Sequence, residues 1–153
     1  MPSRKLSAPR TVRTIFYADD DPDDVLVFRE AMAQIDPSLK IHSVSTGDDL
    51  CALLRSLRPD LVFVDLDMPV KSGLECLVEI RQNPLFASLP VVIYSSSTRA
   101  GNIEAAYHLG ADLFFIKPLS YSDLLVSLRG ILQLDWRHPD RIKEHRGQLV
   151  PFL

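Results

Sequence analysis

Two apolar runs in the middle of the chain constrain its fold most strongly. The stretches LVFV at residues 61–64 and VVIY at residues 91–94 are apolar without any alternation of polar residues. Strands of this kind are buried on both faces, as in a parallel sheet that carries helices on each side. The two runs therefore predict the central strands of a covered parallel sheet.

Similar runs recur along the chain and alternate with helical patterns. Five runs rich in β-branched and aromatic residues predict strands at residues 12–18, 40–45, 60–66, 90–95 and 113–116. Each is followed by a segment whose apolar residues recur with a 3.6-residue period, which predicts five amphipathic helices. Strict alternation of strand and helix predicts an α/β fold with a doubly wound, five-stranded parallel sheet.

Length and composition fit one globular domain. The chain has 153 residues, of which 46% are hydrophobic and 24% are charged. We predict a flexible, basic arm at residues 1–11, the α/β domain at residues 12–133 and a C-terminal tail at residues 134–153. The tail is too short for an output domain. Its apolar end, at residues 149–153, is expected to pack on the domain or across a homodimer.

Charge and hydropathy narrow the expected location and partners. No apolar run reaches the roughly 18 residues that span a membrane, and the N-terminal segment has no apolar stretch typical of a signal peptide. We therefore expect a cytoplasmic protein with no membrane partner. The net charge of −3 gives no indication of nucleic-acid binding.

Polar side chains stand where four of the predicted strands end. Asp19 and Asp20 follow the first strand, Asp65 the third, Ser95 ends the fourth, and Lys117 follows the fifth. Functional groups of open α/β sheets gather beyond these carboxyl ends. In the strand order 2-1-3-4-5 the first and third strands are neighbours, so three carboxylates converge. Mg²⁺ is the expected counter-charge, since it is held by one or two carboxylates together with water or phosphate.

Lys117 and Ser95 give this edge of the sheet partners for an anion. An ammonium and a hydroxyl would bind the oxygens of a tetrahedral phosphoryl group. Aspartate is a covalent phosphoryl acceptor in proteins, and a metal with a lysine stabilises the charge that moves during transfer. The constellation predicts phosphoryl transfer onto one of the acids.

The acidic stretch ADDDPDD, residues 18–24, divides into a site and a helix start. Asp21 suits the N-cap position and Pro22 the first helical position, where a missing N–H costs nothing. Asp23 and Asp24 then fall in the first helical turn, where the macrodipole favours each negative charge by about 0.3 to 1 kcal/mol.

These ordered pieces resemble the receiver domain of two-component response regulators. The resemblance covers residues 12–133 and rests on Asp19 and Asp20, the stretch LVFVDLDMPVKSG, Ser95, and Lys117 with Pro118. It implies the flavodoxin-like (βα)5 fold with strand order 2-1-3-4-5 and a cis peptide bond before the proline. The stretches FREAM and RQNPLFASLPVVIYSSS are similar to stand-alone receivers, including partners of bacterial phytochrome-type histidine kinases.

The resemblance implies a role for each acid. Asp65 would be the phosphoacceptor, taking a phosphoryl group from a histidine of a partner kinase. Asp20 and Asp65 would bind Mg²⁺ through their side chains and Asp67 through its backbone carbonyl, with Asp19 acting mostly through water. In this sequence Asp67 replaces the more usual neutral residue two positions after the acceptor. We expect its charge to change the lifetime of the phosphoryl-aspartate.

The resemblance also implies a switch and a set of partners. Lys117 would hold the phosphoryl oxygens, Ser95 would move toward them, and Phe114 would rotate into the vacated space. This alters the face formed by the fourth helix, the fifth strand and the fifth helix. The expected partners are a sensor histidine kinase or histidine phosphotransfer protein and a downstream protein target. No catalysis beyond its own phosphorylation and dephosphorylation is expected.

Two other functions remain open from the residues. LVFVDLDMP also resembles the first motif of haloacid-dehalogenase-type phosphatases, in which Asp65 would be the nucleophile and Asp67 the general acid/base. The acidic pair upstream of this motif favours the receiver. The second is a pseudo-receiver, a docking module that keeps the fold without accepting a phosphoryl group.

Overall fold

The computed structural model describes residues 12–142. The predicted arm at residues 1–11 and the apolar end at residues 149–153 lie outside the described residues. The strands are β1 (Thr14–Ala18), β2 (Lys40–Val44), β3 (Leu61–Val64), β4 (Val91–Ser95) and β5 (Leu113–Ile116). The main helices are α1 (Pro22–Ile35), α2 (Gly47–Ser56), α3 (Gly73–Gln82), α4 (Ala100–His108) and α5 (Tyr121–Gln133).

The five strands form one parallel sheet in the order β2-β1-β3-β4-β5, which confirms the predicted order. Ala18 pairs with Val64 in the register of the central strands. The N–H of Asp65 donates to the carbonyl of Ala18 at 2.8 Å. This register brings the residues that follow β1 and β3 to the same level at one edge of the sheet.

Helices cover both faces of the sheet, and the central strands supply side chains to both. Leu61 and Phe63 point into a core formed with α1 and α5, whereas Val62 and Val64 point into a core formed with α2, α3 and α4. All four side chains are fully buried. Burial on both faces explains why LVFV lacks alternation.

Side-chain caps begin the helices that lead away from the site. The Asp21 carboxylate accepts from the N–H of Asp23 at 2.9 Å, and Pro22 is the first residue of α1, as predicted. Ser72 and Glu75 form a reciprocal capping box at the start of α3. In contrast, α4 begins after Arg99 without a side-chain cap. Within the described residues, no helix combines the length and apolar character needed to cross a bilayer.

Two sequence expectations need correction or extension. Every peptide bond in residues 12–142 is trans, so the expected cis bond before Pro118 was wrong; trans is the lower-energy isomer of such a bond by about 0.5–1 kcal/mol. The predicted tail contains a short helix, α6 (Pro139–Ile142). Trp136 and Ile142 are buried in the core beneath α1 and α5, and the Trp136 indole donates to the carbonyl of Ile131 at 2.8 Å.

We predict that Gly73→Ala destabilises the protein by about 1–3 kcal/mol, because it overpacks a backbone contact. A Cβ at position 73 would lie 2.3 Å from the carbonyl oxygen of Asp65 and 2.9 Å from Cα of Leu66. Chemical denaturation measures the change. Gly101→Ala is the control, since a Cβ there meets nothing within 4 Å and alanine favours a helix. Equal stability of the two variants would contradict the prediction.

Candidate functional site

Three carboxylates meet at the edge of the sheet where the strands end. Asp19 and Asp20 follow β1, Asp65 follows β3, and one carboxylate oxygen from each lies within 4.8 Å of the others. The side chains of Asp19 and Asp65 are buried, whereas Asp20 is exposed. Hard carboxylate oxygens at this spacing, with one side open to water, fit the coordination that Mg²⁺ prefers.

Lys117, just beyond β5, places its ammonium among these acids. Its Nζ lies 2.8 Å from Asp19 Oδ2, 2.8 Å from Asp24 Oδ2 and 3.5 Å from Asp65 Oδ1. The same nitrogen lies 5.2 Å from the centre of the Tyr94 ring. Burial lowers the pKa of Lys117, but hydrogen bonds from the ammonium to Asp19 and Asp24 outweigh this and raise it overall. The lysine is therefore a permanent positive charge at the site.

Asp19 is the most completely enclosed of the acids. Its Oδ2 accepts from the Tyr17 hydroxyl as well as from Lys117, and its Oδ1 accepts from the N–H of Asp21 at 3.0 Å. Burial, followed by the hydrogen bond to Asp19, raises the pKa of Tyr17 far above its ordinary value, so the phenol remains a donor. These contacts hold Asp19 and Lys117 in one geometry.

Asp65 has a carboxylate that is costly to ionise. Its pKa is raised to about 6, chiefly by burial, and repulsion from Asp19 and Asp67 contributes to the same shift. The positive charge of Lys117 opposes both effects without cancelling them. The ionised Asp65 is therefore a destabilised anion, which gains from any cation that offsets its charge.

The other predicted site residues lie around this centre. Ser95 is fully buried; its Oγ accepts from the N–H of Ser97 at 3.2 Å, and its carbonyl accepts from the N–H of Lys117 at 2.8 Å. Phe114 is fully buried in the core formed with α2, α3 and α4. Asp67 is exposed and borders an open polar cleft. The lining of this cleft is Asp67, Ser96, Ser97, Thr98, Arg99 and Asn102.

The sequence reasoning missed two partners of the site, Tyr17 and Asp24. Tyr17 stands two residues before Asp19, and residues at this spacing on a strand share a face. Asp24 lies in the first turn of α1, as predicted, and its carboxylate also contacts Lys117. The period-two spacing of residues on the strand is a sequence signal for Tyr17. The contact of Asp24 with Lys117 depends instead on how α1 packs against α5.

We predict that Asp65→Asn stabilises the metal-free protein more at neutral pH than at pH 4. A folded-state pKa of about 6 lies above the ordinary value of 3.8. The proton therefore stabilises the fold at low pH, and this contribution, roughly 3 kcal/mol at most, is lost as pH rises from about 4 through about 6. Urea denaturation in EDTA at several pH values measures the difference between variant and wild type.

Asp23→Asn is the control for this pH dependence, because Asp23 is an exposed carboxylate on α1. The stability difference between Asp65→Asn and wild type should grow with pH, and the difference for the control should change much less. A difference for Asp65→Asn that is independent of pH would contradict the stated role of burial.

Comparisons with known proteins agree with this fold. The family model of the response regulator receiver domain matches residues 15–129. The response regulator Rcp1 of Synechocystis sp. is 37% identical to this chain over 76 residues, which are 50% of this chain and 52% of that protein. The chain spans about half the length, or less, of the curated relatives that it matches.

Solved structures of similar regulators superpose closely. The phosphorylated cyanobacterial phytochrome response regulator RcpA has a TM-score of 0.73 at 30% identity, with 79% of this chain and 91% of that chain covered. The Mn²⁺-bound form of Rcp1 has a TM-score of 0.71 at 27% identity, with 78% and 91% covered. Since the family model spans most of the chain and the sheet has the receiver strand order, the protein belongs to the response regulator receiver domain family.

Proposed function

We propose that this protein is a response regulator in which Asp65 accepts a phosphoryl group from a histidine of a partner kinase. The observation that carries the proposal is the position of the Asp65 carboxylate, which belongs to a cluster of acids that fits Mg²⁺ and lies 3.5 Å from the Lys117 ammonium. The similar regulator RcpA is described in a phosphorylated form and Rcp1 in a Mn²⁺-bound form. Both descriptions are consistent with this use of the site.

The transfer exchanges one bond to phosphorus for another. The phosphorus–nitrogen bond of the phosphohistidine breaks, and a bond forms between phosphorus and a carboxylate oxygen of Asp65. The electron pair of the broken bond stays on the departing imidazole, which leaves neutral because its other nitrogen carries a proton. Lys117 binds the phosphoryl oxygens as a point charge.

The four acids would contribute to the metal site in different ways. Asp20 and Asp65 would bind Mg²⁺ through their side chains, Asp67 through its backbone carbonyl, and Asp19 mostly through water. When bound, Mg²⁺ offsets the negative charge on the phosphoryl oxygens. Asp19 also anchors Lys117, through a contact of 2.8 Å.

The signal is read out on the face formed by α4, β5 and α5. Ser95 moves its hydroxyl toward the phosphoryl oxygens, and Phe114 rotates into the space that it leaves. Both side chains are buried beside this face, so a change in either must alter its packing. A downstream protein or a second copy of the chain binds there, and no nucleic acid is involved.

The exchange of the phosphoryl group with the kinase, or with a histidine phosphotransfer protein, takes place in the cytoplasm.

Neither rival function has comparable support. The acids that pair with Asp65 come from the end of β1, upstream of LVFVDLDMP, whereas the phosphatase motif has its metal-binding acids downstream. A pseudo-receiver would not need a lysine within 3.5 Å of the acceptor. We therefore propose no enzymatic activity beyond phosphorylation and dephosphorylation of the protein itself. A generic phosphate ester should not be turned over.

We predict that wild type incubated with Mg²⁺ and phosphoramidate gains one phosphoryl group, and that Asp65→Asn gains none. Asn lacks the anionic oxygen that attacks phosphorus. Asp20→Ala should abolish the Mg²⁺-dependent reaction, because it removes the exposed metal ligand. Intact-protein mass spectrometry measures the gain. Asp23→Ala is the matched control and should be phosphorylated as wild type is; an unmodified wild type would favour the pseudo-receiver.

We predict that Asp67→Asn slows loss of the phosphoryl group several-fold. The Asp67 carboxylate is exposed and close enough to Asp65 to repel its charge. Its charge would also repel the phosphoryl oxygens on Asp65 and so disfavour the phosphorylated state, and we propose that it lies near the path of the attacking water. The decay of phosphoprotein after removal of the donor measures the lifetime. Equal decay rates for wild type and Asp67→Asn would show that this carboxylate has no such role.

A further inference from the structure

The ammonium of Lys117 is shared among three carboxylates in the unphosphorylated protein. It lies 2.8 Å from Asp19, 2.8 Å from Asp24 and 3.5 Å from Asp65. A lysine ammonium has three N–H donors and no acceptor. Asp19 and Asp24 use two of these donors, which leaves one for Asp65. If Lys117 is to donate to two phosphoryl oxygens on Asp65, one of its two short contacts must be given up.

The two short contacts differ in what their loss would cost. The side chain of Asp19 is 0% exposed, and that of Asp24 is 40% exposed. A buried carboxylate that loses its cation is left without compensation, which is strongly unfavourable. Exposed ion pairs are weak, because water replaces the lost partner. Asp24 is thus the contact that Lys117 can release at the lower cost.

The position of Asp24 in α1 makes its release easier still. Asp24 lies in the first turn of the helix, where the macrodipole stabilises a negative charge even without Lys117. Asp19 has no such freedom, because the Tyr17 hydroxyl and the N–H of Asp21 also hold it. The chain thus pairs Lys117 with one fixed acid and one exchangeable acid.

We propose that Asp24 is a positioning residue, which holds the Lys117 ammonium in the unphosphorylated protein and releases it to the phosphoryl group on Asp65. This inference rests on the proposed function. No bond is made or broken beyond the phosphoryl transfer itself, since only a hydrogen bond changes its acceptor. Because Asp24 competes with the phosphoryl group for Lys117, it weakens the phosphorylated state relative to the free one.

The first test measures how tightly a phosphoryl analogue binds. Beryllofluoride with Mg²⁺ is titrated into wild type, Asp24→Asn, Asp24→Glu and Asp23→Asn, and binding is followed by calorimetry. Asp24→Asn removes the competing charge and should bind about two- to fivefold more tightly, as expected for loss of one partly exposed ion pair. Asp24→Glu keeps the carboxylate and should stay near wild type. Asp23→Asn removes a charge from the same helical turn and should also stay near wild type.

The second test distinguishes a contact with Lys117 from a general effect of negative charge. Urea unfolding of the free proteins, in EDTA, compares Asp24→Asn with Asp23→Asn. If Asp24 pairs with Lys117, Asp24→Asn lowers the unfolding midpoint more than Asp23→Asn does. Asp24→Glu then has a midpoint between those of Asp24→Asn and wild type. If Asp24 only adds repulsion to the acidic cluster, Asp24→Asn raises the midpoint.

The outcomes separate this inference from the function on which it rests. Tighter analogue binding together with a lower unfolding midpoint for Asp24→Asn supports the inference. If wild type binds the analogue as tightly as Asp24→Asn or more tightly, the inference is overturned and the proposed function stays intact. The same holds if the unfolding midpoint of Asp24→Asn is equal to or higher than that of Asp23→Asn. Wild type that binds no analogue overturns both.

Discussion

The site depends on one electrostatic constraint, the mutual repulsion of carboxylates held at the edge of the sheet. Two carboxylates about 4 Å apart repel by roughly 4 kcal/mol at the effective dielectric of a protein surface. Asp19 and Asp65 cannot separate, because the paired strands β1 and β3 fix their backbones. Lys117 supplies the compensating charge from β5, which lies on the far side of β4. The positive charge of Lys117 does not fully offset burial and the repulsion between the carboxylates, so the pKa of Asp65 remains raised.

The rest of the fold serves to keep these groups in place. The central strands are buried on both faces, and closely packed cores resist displacement of the residues at their ends. Gly73 lets α3 begin directly against the backbone of Asp65, at a distance that no other residue type allows. On the other face, Tyr17 is fully buried in the core formed with α1 and α5, and its hydroxyl donates to Asp19. A rigid frame therefore surrounds an under-compensated carboxylate, an arrangement that favours binding of a divalent cation.

Most of the fold was predictable because its determinants are local or periodic. The unbroken apolar runs, the 3.6-residue periods and the cap formed by Asp21 each act within a few residues along the chain. The convergence of Asp19, Asp20 and Asp65 followed from the strand order. The trans bond before Pro118 and the short helix α6 were not specified by any pattern of this kind.

The sequence by itself determined the type of sheet, the sites where its strands end and the chemical groups found there. The tertiary structure alone decided how these groups share charge. Asp23 and Asp24 are equivalent in sequence terms, since both are acids in the first turn of α1. Only the packing of α1 against α5 gives Asp24 a contact with Lys117 and leaves Asp23 exposed. Electrostatic interactions depend on distance and burial in three dimensions, and neither is encoded by spacing along the chain.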